Sequence, residues 1–172
     1  IGYAGIKLAK AFGATVFATA RTAEKCSAIN RFGADYAINY CEEDFAKVCH
    51  DQTTGRGVDV VVDIVGGDYL PREVGLLAHG GRLVIINLPA GKTATVDFGL
   101  VHSKHLTITG SRMRPRSIPE KANICRALEK TVWPRFANSE ITTETYAMFP
   151  FSKAADAHRL MESSEHIGKI IL

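Results

Sequence analysis

Two basic residues, Arg21 and Lys25, follow a short apolar segment and open a predicted helix. NAD-binding folds place Asp or Glu at the end of the second strand, where the carboxylate holds the ribose hydroxyls of the adenosine. The segment Thr15–Ala20 ends without a carboxylate. Cations in the first turn of a helix oppose its dipole at a cost of about 0.3–1 kcal/mol when exposed, and a bound anion reverses the sign. Arg21, Lys25 and the helix amides therefore predict a pocket for a 2′-phosphate, which favours NADPH over NADH.

These cations have a plainer interpretation, and two further residues bear on the same site. The alternative is a solvated basic surface in which Lys25 pairs with Glu24 or Glu42. Gly2 directly precedes an amphipathic helix and can be the last glycine of a phosphate-binding turn, although any helix start can carry a glycine. Tyr40 follows a weak extended segment, where it can lie against the adenine or the phosphate. Packing of Tyr40 at an edge strand is the alternative.

The composition argues against several other classes of site. Four cysteines are present and none lies in a C-x-x-C pair, so we predict no metal site and expect idle thiols in a reducing cytoplasm. Lys and Arg number 21 against 18 Asp and Glu, and the two signs are mixed along the chain, which favours no nucleic-acid partner. No apolar run reaches the roughly 18–20 residues that cross a bilayer, so we predict no membrane partner.

The elements that must position these residues alternate between short apolar strands and helices. Predicted strands are Thr15–Thr19, Ala34–Tyr40, Val58–Val65, Arg82–Asn87 and Leu106–Gly110, and predicted helices include Gly2–Phe12, Thr22–Phe32, Tyr69–Ala78, Phe98–Ser103 and Ser117–Val132. Val58–Val65 is almost continuously apolar, which is typical of a parallel strand covered on both faces. Strands that alternate with helices and end at glycines predict an α/β fold with a doubly wound parallel sheet.

Two glycine-containing breaks follow the clearest strands of this predicted sheet. They are Val65-Gly66-Gly67 and Leu88-Pro89-Ala90-Gly91. Ligands of doubly wound sheets bind beyond the carboxyl ends of the strands. We therefore expect both breaks to lie near a bound ligand.

Beyond these local patterns, the chain resembles the C-terminal half of a medium-chain dehydrogenase/reductase, and most closely the zinc-independent, zeta-crystallin-like NADPH:quinone reductases. The order and spacing of the matching stretches over nearly the whole chain carry the resemblance. These stretches are Ile6–Ala14, Gly33–Tyr40, Gly57–Asp63 with Val65–Gly67, Gly80–Val84, Gly110–Ser111, Ala157–Glu162 and His166–Ile170.

The resemblance implies roles for individual residues. The phosphate-binding lysine of the family falls on Lys25 and its cofactor tyrosine on Tyr40, whereas the role of Arg21 is not carried over. The nicotinamide half of NADPH would be lined by Val65, Gly66 and Leu88 to Ala90, with Ser111 and Arg112 near the ring. The edge strand Leu106–Gly110 would form a homodimer. No catalytic residue is assigned.

The resemblance also implies a domain organisation. Residues 1–137 would form a Rossmann domain that binds NADP and lacks its central first strand. Residues 138–172 would be an excursion that belongs to an absent catalytic domain. We therefore expect the 172-residue chain to show weak or no turnover.

The implied activity is hydride transfer from NADPH to a quinone or an activated enone without zinc. A zinc-type alcohol dehydrogenase or an enoyl reductase of the same superfamily is one alternative, because zinc ligands would lie outside these residues. A non-catalytic dinucleotide-binding or dimerisation fragment is the other alternative.

Overall fold

The computed structural model describes residues 1–172 and contains eight α-helices and seven strands. The strands are β1 (Phe17–Ala20), β2 (Tyr36–Asn39), β3 (Val58–Asp63), β4 (Leu77–Ile85), β5 (Thr107–Gly110), β6 (Thr145–Met148) and β7 (Lys169–Ile171). The helices are α1 (Gly2–Ala11), α2 (Ala23–Arg31), α3 (Phe45–Gln52), α4 (Tyr69–Leu76), α5 (Phe98–Ser103), α6 (Ile118–Thr131), α7 (Trp133–Ala137) and α8 (Ala154–Ser163), with a 3₁₀ turn at Phe151–Lys153. None of the α-helices combines the length and the hydropathy that crossing a bilayer requires.

The chain divides into two compact units, residues 1–41 with 123–172 and residues 42–122. We call them the first and the second unit. This division does not test the boundary expected at residue 137, which stays a prediction.

The first unit contains the parallel strands β1 and β2, whose ends are paired at Ala20 and Asn39. Thr22 begins α2 as its N-cap, and its hydroxyl accepts the Lys25 amide at 3.3 Å. The core cluster of the first unit comes from α1, α2 and the residues that precede the strands. Its members are Ile6, Val16, Ala28, Phe32 and Ala34. Strands β6 and β7 form a separate parallel pair in the same unit.

The second unit is built on a parallel three-stranded sheet in the order β3-β4-β5. One face of this sheet packs against α4, and the buried cluster between them is Leu70, Val74, Leu77 and Leu83. Both outer strands, β3 and β5, are edges of this sheet.

These sheets confirm the predicted α/β fold with parallel strands. The strands form the pair β1-β2, the trio β3-β4-β5 and the pair β6-β7. Parallel pairing joins every strand to its neighbours.

Two local expectations were wrong. The helix predicted over Tyr69–Ala78 ends at Leu76, and β4 begins at Leu77 and continues through Gly80 and Gly81 instead of starting after them. Pairing with β3 draws this segment into the sheet, and the two glycines allow its irregular backbone: Gly80 has a φ of +72°, and a Cβ on Gly81 would lie 2.8 Å from the Ala78 carbonyl oxygen.

The second wrong expectation concerns the cover of β3. Val60 and Val62 are 46% and 55% exposed, so only one face of this strand is covered. Val61 points to the covered face and packs against the core cluster of the second unit. An apolar run indicates that both faces of a strand can be buried, whereas the elements that pack against the strand determine which face is buried.

Candidate functional site

Two turns at the carboxyl ends of β3 and β4 approach each other closely. We call residues 64–67 and 88–91 the glycine turns. Gly66 and Gly67 have φ values of +74° and +59°. A Cβ on Gly66 would lie 2.5 Å from the Leu88 Cδ2 atom and 2.7 Å from the Gly91 carbonyl oxygen. Only glycine fits at Gly66, because both the backbone angle and the close approach exclude a side chain.

Backbone hydrogen bonds join the glycine turns. The Ala90 amide donates to the Val65 carbonyl oxygen at 2.9 Å, and the Gly67 amide donates to the Gly91 carbonyl oxygen at 3.0 Å. Val65, Gly66, Leu88 and Ala90, all predicted to lie at the nicotinamide, are thus brought together within the second unit.

The next strand adds two more predicted residues to this end of the sheet. The Ser111 amide donates to the Ile85 carbonyl oxygen at 2.9 Å, which continues the ladder between β4 and β5. Arg112 follows and is exposed. The carboxyl ends of β3, β4 and β5 therefore carry all the residues that the sequence predicted for the nicotinamide half.

The Asp63 carboxylate lies beneath the first glycine turn. Its side chain is buried, with the residue only 2% exposed. Oδ1 accepts the Val65 amide at 2.6 Å and the Gly66 amide at 3.1 Å, and Oδ2 accepts the Gly66 amide at 3.0 Å. Asp63 thus satisfies backbone donors that its own turn leaves without carbonyl partners.

A second buried acid, Glu73, lies on α4 in the same unit. It is 6% exposed, and its Oε2 atom has no hydrogen-bond partner. The pKa of Glu73 is raised to about 7, mainly by burial and also by the charge of Asp63, while the Arg72 guanidinium opposes the shift. Glu73 is therefore partly protonated at neutral pH.

In the first unit, the residues predicted for the adenosine end lie at one edge of the β1-β2 sheet. Arg21 directly follows β1 and Tyr40 directly follows β2. The Tyr40 amide donates to the Ala20 carbonyl oxygen at 3.1 Å, which fixes Tyr40 beside the end of β1. Both side chains are exposed. The parallel register thus brings Arg21, Lys25 and Tyr40 to the same end of this sheet.

Lys25 already has a partner in this structure. Its Nζ donates to the carbonyl oxygen of Ser164, the C-cap of α8. The ion pairs with Glu24 and Glu42 that the plainer interpretation offered are not formed. A helix C-terminus carries partial negative charge, so it attracts the ammonium group as an anion would.

Gly2 is the first residue of α1 and is exposed. A Cβ built on Gly2 would meet no atom within 4 Å. Packing within this chain therefore does not require a glycine at this position.

One cavity is lined by none of the predicted site residues. It measures about 430 Å³ and belongs to the second unit. Its cations are already bonded: Arg72 to Asp44, Arg56 to Asp59, and Lys104 to the carbonyl oxygens of Gly75 and Leu77. The cavity therefore offers no unpaired charge for a ligand, and we assign it no role in the site.

Comparison with protein-family models gives a match over residues 1–128 to the family described as zinc-binding dehydrogenase. The chain belongs to this family. The match confirms the resemblance to the medium-chain dehydrogenases/reductases.

The family name implies zinc, which the residues of this chain do not fit. No group of three or more His, Cys, Asp or Glu side chains is arranged to hold a metal ion. The glycine turns lie at the carboxyl ends of parallel strands, where doubly wound sheets bind their ligands.

The curated relatives of this chain are named for different activities. The chain is 30% identical to 2-haloacrylate reductase of a Burkholderia species, covering 100% of this chain and 52% of the relative. It is also 30% identical to phthioceranic/hydroxyphthioceranic acid synthase of Mycobacterium tuberculosis, covering 100% of this chain and 8% of the relative. The chain thus spans about half of the reductase and a small part of the synthase.

Solved structures agree with this assignment. An NAD-dependent alcohol dehydrogenase superposes with a TM-score of 0.77 at 31% identity, covering 98% of this chain and 47% of that chain. A quinone oxidoreductase of Pseudomonas syringae pv. Tomato DC3000 superposes with a TM-score of 0.76 at 24% identity, covering 99% of this chain and 53% of that chain. At this identity the second match shows the fold alone.

Sequence analysis did not identify Asp63 and Glu73 as site residues, although both left a signal. Asp63 follows three consecutive valines and precedes the glycine break by two residues. Glu73 lies on α4 three residues after Leu70, at helical spacing from it. An acid in an apolar pattern indicates either a buried polar contact or a functional group.

Proposed function

We propose that this chain binds NADPH and takes part in hydride transfer from it to a quinone or an activated enone, in the cytoplasm. The glycine turns are the observation that carries the proposal. They lie at the carboxyl ends of parallel strands, where this fold class binds its ligands. A Cβ on Gly66 would meet the opposite turn, so glycine at this position lets the two turns pack together at this end of the sheet.

The choice of NADPH rests on the first unit. Arg21 and Lys25 follow β1, and the segment before them ends without the carboxylate that holds the ribose of NAD. In this proposal Lys25 exchanges the Ser164 carbonyl oxygen for the 2′-phosphate, a full anion that binds an ammonium group more strongly. Arg21 supplies a second cation, and Tyr40 lies against the adenine or the phosphate.

The contribution of the chain to the reaction is orientation. The bound cofactor supplies the hydride. The residues of the glycine turns, with Ser111 and Arg112, would hold the nicotinamide ring in one orientation and exclude water from one of its faces. Such positioning lowers the entropic part of the barrier. No side chain of this chain is assigned as an acid or a base.

The acceptor class is supported by one relative. 2-Haloacrylate reductase, 30% identical over the whole chain, is named for an acrylate, in which a double bond is conjugated with a carboxyl group. Such a double bond accepts hydride in the same way as an activated enone. This similarity favours the enone arm of the proposal over the quinone arm.

Alcohol dehydrogenase or enoyl reductase activity is the second candidate. Its supporting observation is the 31% identity to an NAD-dependent alcohol dehydrogenase. Of these two activities, a zinc-type alcohol dehydrogenase differs from the first candidate in zinc dependence and in cofactor. A zinc-type alcohol dehydrogenase would lose activity when zinc is removed, and a hydride transfer that needs no metal would not.

We also propose a homodimer through β5. It is an edge strand of the three-stranded sheet, and its residues are exposed along its whole length. Unpaired edges are templates for pairing with another strand. Sedimentation of the chain and of an Ile108→Pro variant tests this, because the Ile108 amide points away from β4 and proline removes this donor from the free edge.

Calorimetric titration of the 172-residue chain with NADPH and with NADH tests the cofactor proposal. We expect NADPH to bind at least about 10-fold more tightly, which corresponds to about 1.4 kcal/mol. Equal affinity for NADPH and NADH would contradict the proposed 2′-phosphate pocket. Tighter binding of NADH would favour the alcohol dehydrogenase candidate. Steady oxidation of NADPH by this chain with a small quinone would contradict the expected weak turnover.

A further inference from the structure

Asp63 is buried at the end of β3, where an apolar side chain would be more favourable than a carboxylate. It is the last residue of β3 and is 2% exposed. Burying a carboxylate is unfavourable unless hydrogen bonds replace its water. Its two oxygens accept three hydrogen bonds, all from the amides of Val65 and Gly66. The replacement for water thus comes entirely from the first glycine turn.

The first glycine turn needs this support because its own backbone cannot supply it. Gly66 and Gly67 both have positive φ, so their backbones leave the regular ladder of β3. Buried amides without hydrogen-bond partners destabilise the folded chain. Without Asp63, the amides of Val65 and Gly66 would have to turn toward other acceptors, and the turn would change its path.

A change of path would alter the surface that the second glycine turn meets. The Val65 carbonyl oxygen accepts the Ala90 amide at 2.9 Å, and Gly66 lies against Leu88. Rotation of the Val65 and Gly66 peptides would therefore break the contact between the two glycine turns. Asp63 therefore affects the exposed surface of the glycine turns only at this end of the sheet, through the backbone atoms of Val65 and Gly66.

We propose that Asp63 is a positioning residue, which holds the first glycine turn in the path that lets it receive the nicotinamide ring. This inference rests on the proposed function. Asp63 itself lies beneath the turn and acts through the backbone of Val65 and Gly66. It therefore sets the affinity for the nicotinamide half of the cofactor and leaves the adenosine half unaffected.

Three variants of the full chain test this role. Asp63→Ala removes all three hydrogen bonds, and Asp63→Asn keeps one oxygen that can accept both amides. Asp59→Ala is the matched control, since Asp59 lies on the same strand but is exposed and bonds only to the Arg56 side chain. Each variant is titrated calorimetrically with NADPH and with 2′,5′-ADP, which lacks the nicotinamide half.

We expect Asp63→Ala to weaken NADPH binding by at least about 10-fold while the affinity for 2′,5′-ADP changes by less than about 2-fold. Asp63→Asn should restore most of the lost affinity, and Asp59→Ala should match the unaltered chain for both ligands. Equal NADPH affinity in Asp63→Ala and Asp59→Ala would overturn the inference. A parallel loss of both ligands in Asp63→Asn would also overturn it, because that result indicates a general structural role.

Amide hydrogen exchange without cofactor separates this inference from the proposed function. Val65 and Gly66 should exchange faster in Asp63→Ala than in Asp59→Ala, and unchanged exchange would overturn the positioning role. If the unaltered chain bound 2′,5′-ADP as tightly as NADPH, the nicotinamide assignment would be wrong even where the exchange data support Asp63. If it bound neither, the proposed function would be wrong, and the positioning role with it.

Discussion

The ammonium group of Lys25 donates to the carbonyl oxygen of Ser164, at the C-terminus of α8. The two residues are 139 positions apart in the sequence. Lys25 is therefore held at the end of β1 by a group with partial negative charge. The same position is where we propose that the 2′-phosphate binds.

Replacement of Lys25 tests the phosphate pocket. Lys25→Ala should weaken NADPH binding by about 10-fold or more, since a hydrogen bond to a charged group contributes about 1.5–3 kcal/mol. Binding of NADH should change little, because NADH has no 2′-phosphate. Both affinities are measured calorimetrically, with Lys47→Ala as the control because Lys47 is an exposed lysine of the second unit. Equal weakening of both cofactors would show that the phosphate assignment is wrong.

Gly66→Ala should destabilise the chain by about 1–3 kcal/mol, since both its positive φ and its close neighbours oppose a side chain. A Cβ there would lie 2.5 Å from the Leu88 side chain. Gly5→Ala is the matched control: Gly5 lies within α1, and a Cβ there would meet nothing within 4 Å. Helix propensity predicts that this control gains up to about 1 kcal/mol. Urea unfolding measures both, and similar stabilities would contradict the close approach of the glycine turns.

Glu73 should make stability depend on pH around neutrality. Its pKa is 4.5 when unfolded and about 7 in the folded chain, so the folded state holds a proton that the unfolded state releases. The contribution of Glu73 to stability is therefore greatest below pH 4.5, and it falls as the pH rises through 7. The full loss is about 3 kcal/mol.

Glu73→Gln removes this ionisation while keeping the size of the side chain. Unfolding by urea at several pH values between 5 and 8 should show the variant gaining stability over the unaltered chain as the pH rises, by up to about 3 kcal/mol. Parallel pH profiles for the two proteins would mean that Glu73 is not buried in the way described. The charges that act on Glu73 come from Asp63 on β3 and Arg72 on α4.

The cysteines should differ sharply in their reactivity. Burial raises the pKa of the Cys49 thiol to about 11, so almost no thiolate is present at pH 8. Cys41 and Cys125 are exposed. Alkylation with iodoacetamide followed by mass spectrometry should therefore modify Cys41 and Cys125 first, and Cys49 only after unfolding. Early modification of Cys49 would show that α3 opens readily.

Local sequence patterns predicted most of the strands and the position of the glycine turns. The apolar run Val58–Val65 and the glycines after it determine a strand followed by a break, whatever surrounds them. The parallel sheet then puts Val65, Gly66, Leu88 and Ser111 at one edge, because the carboxyl ends of parallel strands lie together. Val65, Gly66 and Leu88 could be predicted from order and spacing alone, whereas Ser111 was implied by the family resemblance.

The end of α4 could not be predicted in this way. The pattern continues as a helix to Ala78, but pairing with β3 takes Leu77 and the following residues into β4. The end of α4 is thus determined by pairing with β3, a different segment of the chain. Local helix and strand propensity gives no information about this pairing.

The sequence by itself determined the fold class, the strands and the turns, because hydrophobic period and glycine placement act over a few residues. The tertiary structure alone decided that Asp63 and Glu73 are buried acids and that Lys25 binds the end of α8. A sequence pattern shows which face of an element is apolar. The groups that approach that face come from distant parts of the chain, and only the folded backbone brings them within hydrogen-bonding distance.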